Sequence, residues 1–383
     1  MLADCHSDDA PMQGAMYVDG AFQSLGNASL ISVENPANES LIGHIAEGTS
    51  QDADAAVAAA KAACTAWAAC PAMERAGYVN ALADAMKADS ERLAALVTLE
   101  QGKPIAQARG EVGAAVAFLR YAAEQARRIQ GDIVTSDNPS EEIHIRRHPV
   151  GVVVGLTAWN YPSALTTRKL GPALVAGNTF VLLSHEITPF SGLAIAELAD
   201  RIGLPKGVFN VLTGRGAVVG QRLVEHPDTD LITMTGSTRA GREIYGSAAN
   251  ELKIVRLELG GKAPFIVMDD ANIEAAVSAA VTARYTNCGQ VCTCNERMYL
   301  HADIADVFLE KFVAASQALS IGDPMGEVDL GPKVSGAEVA KINEIVARGV
   351  KAGAEVLLEG GALNEGAYEK GHWMAPTVLE VSD

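Results

Sequence analysis

Basic residues are in short supply, with 30 Lys and Arg against 47 Asp and Glu, for a formal net charge of -17 over 383 residues. Affinity for nucleic acid or an anionic membrane rests on Lys and Arg neutralising phosphate, so neither is an expected partner, and the acidic surplus serves solubility. Long apolar runs are also missing. No window reaches the length a membrane helix requires, and residues 1–14 (MLADCHSDDAPMQG) have neither the basic region nor the apolar core of a signal peptide. The expected location is the cytoplasm. The six cysteines, Cys5, Cys64, Cys70, Cys288, Cys292 and Cys294, are too few for a disulfide framework in a chain this long and read as reduced thiols. A zinc centre on Cys288, Cys292 and Cys294 would need a fourth ligand at compact spacing, and the nearest histidine, His301, falls on an expected strand. No metal is expected.

What is present is the composition of an ordinary globular enzyme, 49% hydrophobic with 36 glycines, in a chain long enough for two cores. After a leader expected to be mobile, residues 16–22 (MYVDGAF) predict a short hairpin turning on Asp19-Gly20. Helices are predicted over 52–67, with Thr49 or Ser50 as cap and Asp52 as capping-box acid, and over 73–88, 89–101 and 105–130. Residues 132–147, around Asn138-Pro139, read as a protruding hairpin suited to oligomerisation. From Val150 the texture changes to short apolar strands (GVVVGL, TFVLL, VFNVL, LITMT, KIVRLEL) alternating with helices, the pattern of a doubly wound parallel sheet covered on both faces. A third section from Gly260 is also α/β and closes on WMAPTVLEV, an extended segment expected to lack a partner, an edge hazard.

Two glycine clusters, Gly214-Arg215-Gly216 through Gly220, and Gly236-Ser237 through Gly241, each follow a strand and open a helix, where backbone N–H groups favour an anion. Either alone could be a plain turn; together on one sheet they point to a nucleotide. Trp159-Asn160-Tyr161-Pro162 follows GVVVGL at a strand's carboxyl end. Asn160 there can donate to a developing oxyanion or simply cap the next helix. Arg168 and Lys169 read locally as a solvated face. Cys292 alone would be a small buried hydrophobe, the reading that suits Cys288 and Cys294. The Gly289-Gln290 turn before Cys292, and Glu258 in a glycine-rich context, instead make a thiol nucleophile with a carboxylate base.

The motifs AWNYP, TGSTRAG, LELGGKAPF and NCGQVCTC, in that order, closely resemble the NAD(P)-dependent aldehyde dehydrogenase superfamily, over residues 16–383. GHIAEG, RKLGPALVAGNT and GQVCTCNERMYL look nearest to lactaldehyde, glycolaldehyde and succinate-semialdehyde dehydrogenases. The resemblance implies a Rossmann-type NAD-binding domain (1–131 and 152–257), an oligomerisation hairpin (132–151) and a second α/β catalytic domain (258–383). It implies that Cys292 attacks the aldehyde, that Asn160 and the Cys292 N–H hold the oxyanion, that Glu258 activates water against the thioester, and that Lys169 stands beside the site. Trp159, Glu186, Gly216, Gly220, Gly236, Ser237 and Leu259 would contact the cofactor. NAD is favoured over NADP because Glu186 would meet a 2′-phosphate with like charge. The implied assembly is a homodimer or homotetramer.

Three departures bear on these roles. Leu183 stands where the family has a lysine that bonds the ribose, and Thr286 where succinate-semialdehyde members place an arginine, which favours a small hydroxyaldehyde. The family's Glu-x-Phe-Gly-Pro segment, which orients the nicotinamide ribose, is not in this sequence, so the catalytic domain is expected to be incomplete. Two other readings predict different behaviour: a cofactor-independent cysteine esterase using Cys292 and Glu258, and a catalytically impaired relic.

Overall fold

The computed structural model describes residues 11–26 and 28–381. Most of the expected leader, residues 1–10 with Cys5, lies outside the described residues. Strand β1 (Met12–Gly14) belongs to a three-stranded sheet with β4 (Leu30–Glu34) and β5 (Leu41–Ala46), in the order β1-β5-β4. Between β1 and β4, β2 (Tyr17–Val18) and β3 (Ala21–Phe22) form the expected hairpin. Its turn residues Asp19 (φ 52°) and Gly20 (φ 74°) are both left-handed, the geometry that matches the twist of paired strands.

Helices α1 (Ser50–Ala69), α2 (Ala72–Ala88), α3 (Ser90–Gln101) and α4 (Ile105–Glu124) come next. The α1 capping box forms as its residues dictate: Asp52 N–H donates to Thr49 Oγ1 at 3.3 Å, and Thr49 N–H to Asp52 Oδ2 at 2.7 Å. The fourth helix stops sooner than its apolar spacing suggests, giving way to a 3-10 turn at Gln125–Arg128. Beyond it lie β6 (Asp132–Thr135) and β7 (Glu142–Ile145), an antiparallel pair all of whose residues are exposed.

The alternating section is β8 (Val152–Leu156), α5 (Pro162–Val175), β9 (Thr179–Leu183), α6 (Phe190–Arg201), β10 (Phe209–Leu212), α7 (Gln221–Glu225), β11 (Leu231–Thr235), α8 (Thr238–Ala249) and β12 (Ile254–Glu258). Its strands build a seven-stranded sheet, β12-β11-β8-β9-β10-β2-β3, parallel from β12 to β10, with the β2–β3 hairpin added antiparallel at one edge. The order reverses direction around β8, so the crevice at the carboxyl ends of β8, β9 and β11 is where such sheets take ligands. Every residue of β8, β9 and β10 is buried, as continuous apolar runs require. Gly155 in β8 leaves room for the Phe180 ring of β9, which a Cβ would strike.

The chain then continues through β13 (Ala263–Val267), α9 (Ile273–Tyr285), β14 (Asn295–Leu300), α10 (Ala302–Gln317), α11 (Gly336–Lys351), β15 (Glu355–Leu358), β16 (Gly361–Leu363), β17 (Trp373–Ala375) and β18 (Val378–Glu380). Strands β13 and β14 run parallel over a core of Val267, Val277, Ala280, Phe308 and Phe312. The expectation of an unpartnered final strand is corrected here. WMAPTVLEV splits in two, β17 pairing with β16 and β18 with β15, because Glu355–Leu358 and Gly361–Leu363 are strands whose short, charge-flanked sequences gave no clear alternation. His301 is likewise not in a strand; it is the N-cap of α10.

Two compact units result, one made of residues up to Ser32 with Gly43–Leu93 and Gly110–Glu258, the other of Val33–Ile42, Ala94–Arg109 and the residues from Leu259 on.

Candidate active site

In the first unit, the residues singled out in the sequence gather at the carboxyl ends of β8 to β12. Trp159 and Asn160 lie in the turn after β8, both half-buried, and the Trp159 carbonyl accepts from Thr188 Oγ1 at 3.2 Å. The capping alternative for Asn160 does not hold. Helix α5 starts at Pro162, its N-cap is Tyr161, and no side chain caps it there. Buried Glu111 does that work instead, its Oε1 accepting from the N–H groups of Ser163 (2.9 Å) and Ala164 (3.2 Å), a carboxylate placed where the helix dipole favours it. Asn160 therefore does not supply the cap of α5.

Lys169 is not on a solvated face. Arg168 is exposed and lies over the Phe118 ring, whereas Lys169 turns inward and donates to Thr233 Oγ1 of β11 at 3.2 Å. Burial, and after it the charge of Arg168, bring its pKa down from 10.5 to about 8, with Glu258 opposing them. Below about pH 8 the ammonium is charged in both folded and unfolded chains, and the folded state carries the full desolvation cost. Between about pH 8 and 10.5 the folded chain sheds its proton first, so stability rises with pH. Lys169→Met is therefore expected to be more stable than wild type at pH 7, by on the order of 2–3 kcal/mol less the lost Thr233 bond. Urea titrations at pH 7 and pH 10.5 check this; the advantage should vanish at the higher pH.

After β9, Ser184 donates to the Pro189 carbonyl and His185 Nδ1 accepts from the Ile187 N–H, burial holding that imidazole neutral with a pKa near 4. Glu186 comes next, half-buried. The hydrogen bond from exposed Arg215 to Glu47 at 2.8 Å, then the charge of Glu47 and last that of Glu186, raise the Arg215 pKa. Leu183 is buried and offers no donor. After β10, Gly216 and Gly220 bracket one π-helical turn; a Cβ at Gly216 would meet nothing, so the backbone there is open to a ligand. After β11, Gly236 N–H bonds the Glu258 carbonyl (3.0 Å), and Ser237 caps α8, accepting from Ala240 N–H at 3.1 Å. Glu258 itself ends β12, exposed.

Leu259 and Cys292 belong to the second unit. Cys292 sits exposed on a turn closed by the Cys294 N–H to Val291 carbonyl bond (3.2 Å). Gly261 allows the chain entering β13 to lie against that turn, since a Cβ there would overlap the Cys292 carbonyl oxygen. Cys288 and Cys294 are buried, as expected, and burial raises both their pKa values. Of the three clustered thiols only Cys292 is open to a reagent.

Sequence reasoning missed Glu111, Thr233, Gln107, Arg284 and Lys333, all of which reach site residues from a distance or with no local signal. It also missed Asp269, His301 and Asp303, whose possible ligand atoms lie within 4.8 Å of one another. That group stands at the N-terminus of α10, whose dipole opposes a cation, and His301 Nδ1 already accepts from the Asp303 N–H.

A model of the aldehyde dehydrogenase family matches residues 23–383. The chain belongs to that family. Among similar proteins, the 3,6-anhydro-alpha-L-galactose dehydrogenase of Vibrio sp. (strain EJY3) is 46% identical over 95% of this chain and 76% of its own length. The lactaldehyde dehydrogenase of Escherichia coli (strain K12) is 42% identical over 96% of this chain and 77% of its own length. The succinate-semialdehyde dehydrogenase of the same organism, named for NADP(+), is 40% identical over 94% and 74%. The solved structure of 3,6-anhydro-L-galactose dehydrogenase in complex with NAP superposes with a TM-score of 0.93 at 46% identity, covering 96% of this chain and 77% of that one. The crystal structure of the Escherichia coli lactaldehyde dehydrogenase gives 0.94 at 41%, over 97% and 77%. The α/β architecture is that of the family, whose members oxidise aldehydes with NAD(P). Among the described residues no helix is long and apolar enough to cross a membrane.

Proposed function

We propose that this chain oxidises a small aldehyde to its carboxylic acid with NAD, through a covalent adduct on Cys292. The observation that carries the reading is the contrast among the clustered thiols: Cys292 exposed on a turn, Cys288 and Cys294 buried. The Cys292 thiolate adds to the carbonyl carbon, and the charge that develops on oxygen is met by the Asn160 side-chain amide and the Cys292 N–H. NAD, when bound, supplies the hydride acceptor. Loss of hydride from the adduct leaves a thioester on Cys292. Glu258 takes a proton from water, the hydroxyl adds to the thioester, and the acid leaves as the thiol is restored.

The cofactor fits the residues at the sheet's carboxyl ends. Trp159, Gly216, Gly220, Gly236, Ser237 and Leu259 would hold it, and the half-buried Glu186 would accept from the adenosine ribose hydroxyls. A 2′-phosphate there would face the Glu186 carboxylate, which supports NAD, although a relative named for NADP(+) and a structure solved in complex with NAP are among the similar proteins. Thr286 donates its hydroxyl to the Thr282 carbonyl at 2.6 Å, and Arg284 is engaged with the Gly289 carbonyl, so neither is set to clamp a substrate carboxylate. That supports a lactaldehyde- or glycolaldehyde-like substrate over a semialdehyde. The exposed β6–β7 hairpin, with Ile133, Ile143 and Ile145 in the open, suits pairing with further copies of this chain as a dimer or tetramer.

The test is a thermal-shift titration with NAD and with NADP beside an NADH assay on short aldehydes. NAD at about a hundred times its Kd adds about 2.7 kcal/mol to stability. The expected outcome is a clear rise in Tm with NAD, a smaller one with NADP, and NADH formed faster from lactaldehyde than from succinate semialdehyde. A larger shift with NADP overturns the NAD preference. Ester turnover with no shift from either nucleotide would favour the hydrolase reading.

A further inference from the structure

Three consecutive residues just before the nucleophile, Asn287 (φ 53°), Cys288 (φ 55°) and Gly289 (φ 73°), are left-handed, and only the last is a glycine. A Cβ in that region crowds the following carbonyl, so two such residues in a row persist only where surroundings hold them. The holding contacts are present within the second unit. Lys333 Nζ donates to the Cys288 carbonyl at 2.6 Å, and the Gly331 N–H to Cys288 Sγ at 3.3 Å. Arg284 donates to the Gly289 carbonyl at 2.7 Å, the Asn287 N–H donates to Gln107 Oε1 at 2.6 Å, and the Val334 N–H to Gln290 Oε1 at 3.0 Å.

Lys333 stands apart from the others. Burial pushes its pKa down, so an ammonium kept there is unfavourable unless the carbonyl it meets is worth the desolvation. A neutral apolar side chain would fill the same space at less cost. Its presence is accounted for if the turn needs a charged donor on the Cys288 carbonyl, the group that left-handed geometry turns away from any helical partner.

We propose that Lys333 is a positioning residue: by bonding the Cys288 carbonyl it locks the left-handed turn 287–289 and so fixes the turn that presents Cys292 for attack. The inference deepens the proposed function and rests on Cys292 being the nucleophile.

The experiment compares wild type, Lys333→Met and Lys333→Met/Cys288→Gly in the full chain, by site-resolved hydrogen exchange over residues 286–292 and by NADH kinetics. In Lys333→Met these amides should exchange about tenfold faster and kcat should fall about tenfold with KM little changed, the size expected when one left-handed residue loses its support. Adding Cys288→Gly should restore both, because glycine adopts that conformation without help. A merely structural lysine predicts the reverse, since the double variant also loses the Cys288 sulfur and should be worse. Should Lys333→Met fail to fold, Lys333→Leu, which also removes the donor, carries the same comparison. Unchanged exchange in the single variant, or no recovery in the double, overturns the proposal. If wild type forms no NADH while the exchange pattern appears as expected, the catalytic reading falls and the turn lock stands; if wild type is active and Lys333→Met matches it, the lock falls and the reading stands.

Discussion

Glu258→Gln is expected to release a rapid burst of NADH matching the enzyme present and then stall, with steady turnover reduced by about 10²–10⁴, the usual contribution of a general base. The reason is the order of steps. Thiol addition and hydride loss need no proton taken by Glu258, so the thioester forms; the water that must then attack has lost its base. The amide is isosteric, and Glu258 is exposed at the end of β12 with its backbone carbonyl held by Gly236, so the variant should fold as wild type does. A second effect arises from charge. Glu258 is the group that opposes the depression of the Lys169 pKa, so its neutralisation should let that pKa fall further, and urea titrations of Glu258→Gln should show the Lys169-linked rise in stability beginning at lower pH. Stopped-flow absorbance with the preferred aldehyde reads the burst. Undiminished steady turnover would remove Glu258 from the scheme.

What could be read in the sequence was what short-range physics writes. Thr49 and Asp52 satisfy each other's backbone across three residues, so the start of α1 was plain, as was the Asp19-Gly20 turn, where residue type alone implies positive φ. The buried strands of the parallel sheet showed themselves as unbroken apolar runs. The local reading of Lys169 as a solvated face fails because Arg168 beside it makes the pair look like a wet surface; which of two adjacent residues on a helix faces the sheet depends on where Thr233 lies, 64 positions on. The last strands looked unpartnered because their partners, Glu355–Leu358 and Gly361–Leu363, are short and irregular, with a register shift in one pair. Left-handed Cys288 carries no sequence signature, and Asn287 only the general tolerance of asparagine for that region. Their conformation is imposed by Lys333, Gln107 and Arg284, and tertiary restraint of that kind cannot be read from a local window.

The same distinction decides what Asn160→Ala should do. From sequence, the residue had two possible duties, capping a helix or polarising a carbonyl, and they predict opposite outcomes. A lost cap costs about 1 kcal/mol of stability and leaves chemistry alone. A lost oxyanion donor costs about 10²–10³ in kcat and leaves stability nearly unchanged. The fold separates them, because Glu111 reaches across 52 residues to bond the Ser163 N–H and leaves Tyr161, without a side-chain cap, at the head of α5. Asn160→Ala is therefore expected to keep its Tm within a degree or two and its NAD-induced shift, while kcat falls by about two orders of magnitude or more and KM moves little. Asn160→Asp should be worse than alanine, since a carboxylate would face the negative charge developing on the substrate oxygen. Glu111→Gln supplies the converse, a measurable drop in Tm from weakened capping. An Asn160→Ala variant that lost several degrees of Tm yet turned over normally would return this side chain to a structural role and leave the Cys292 N–H as the sole proposed donor to the oxyanion.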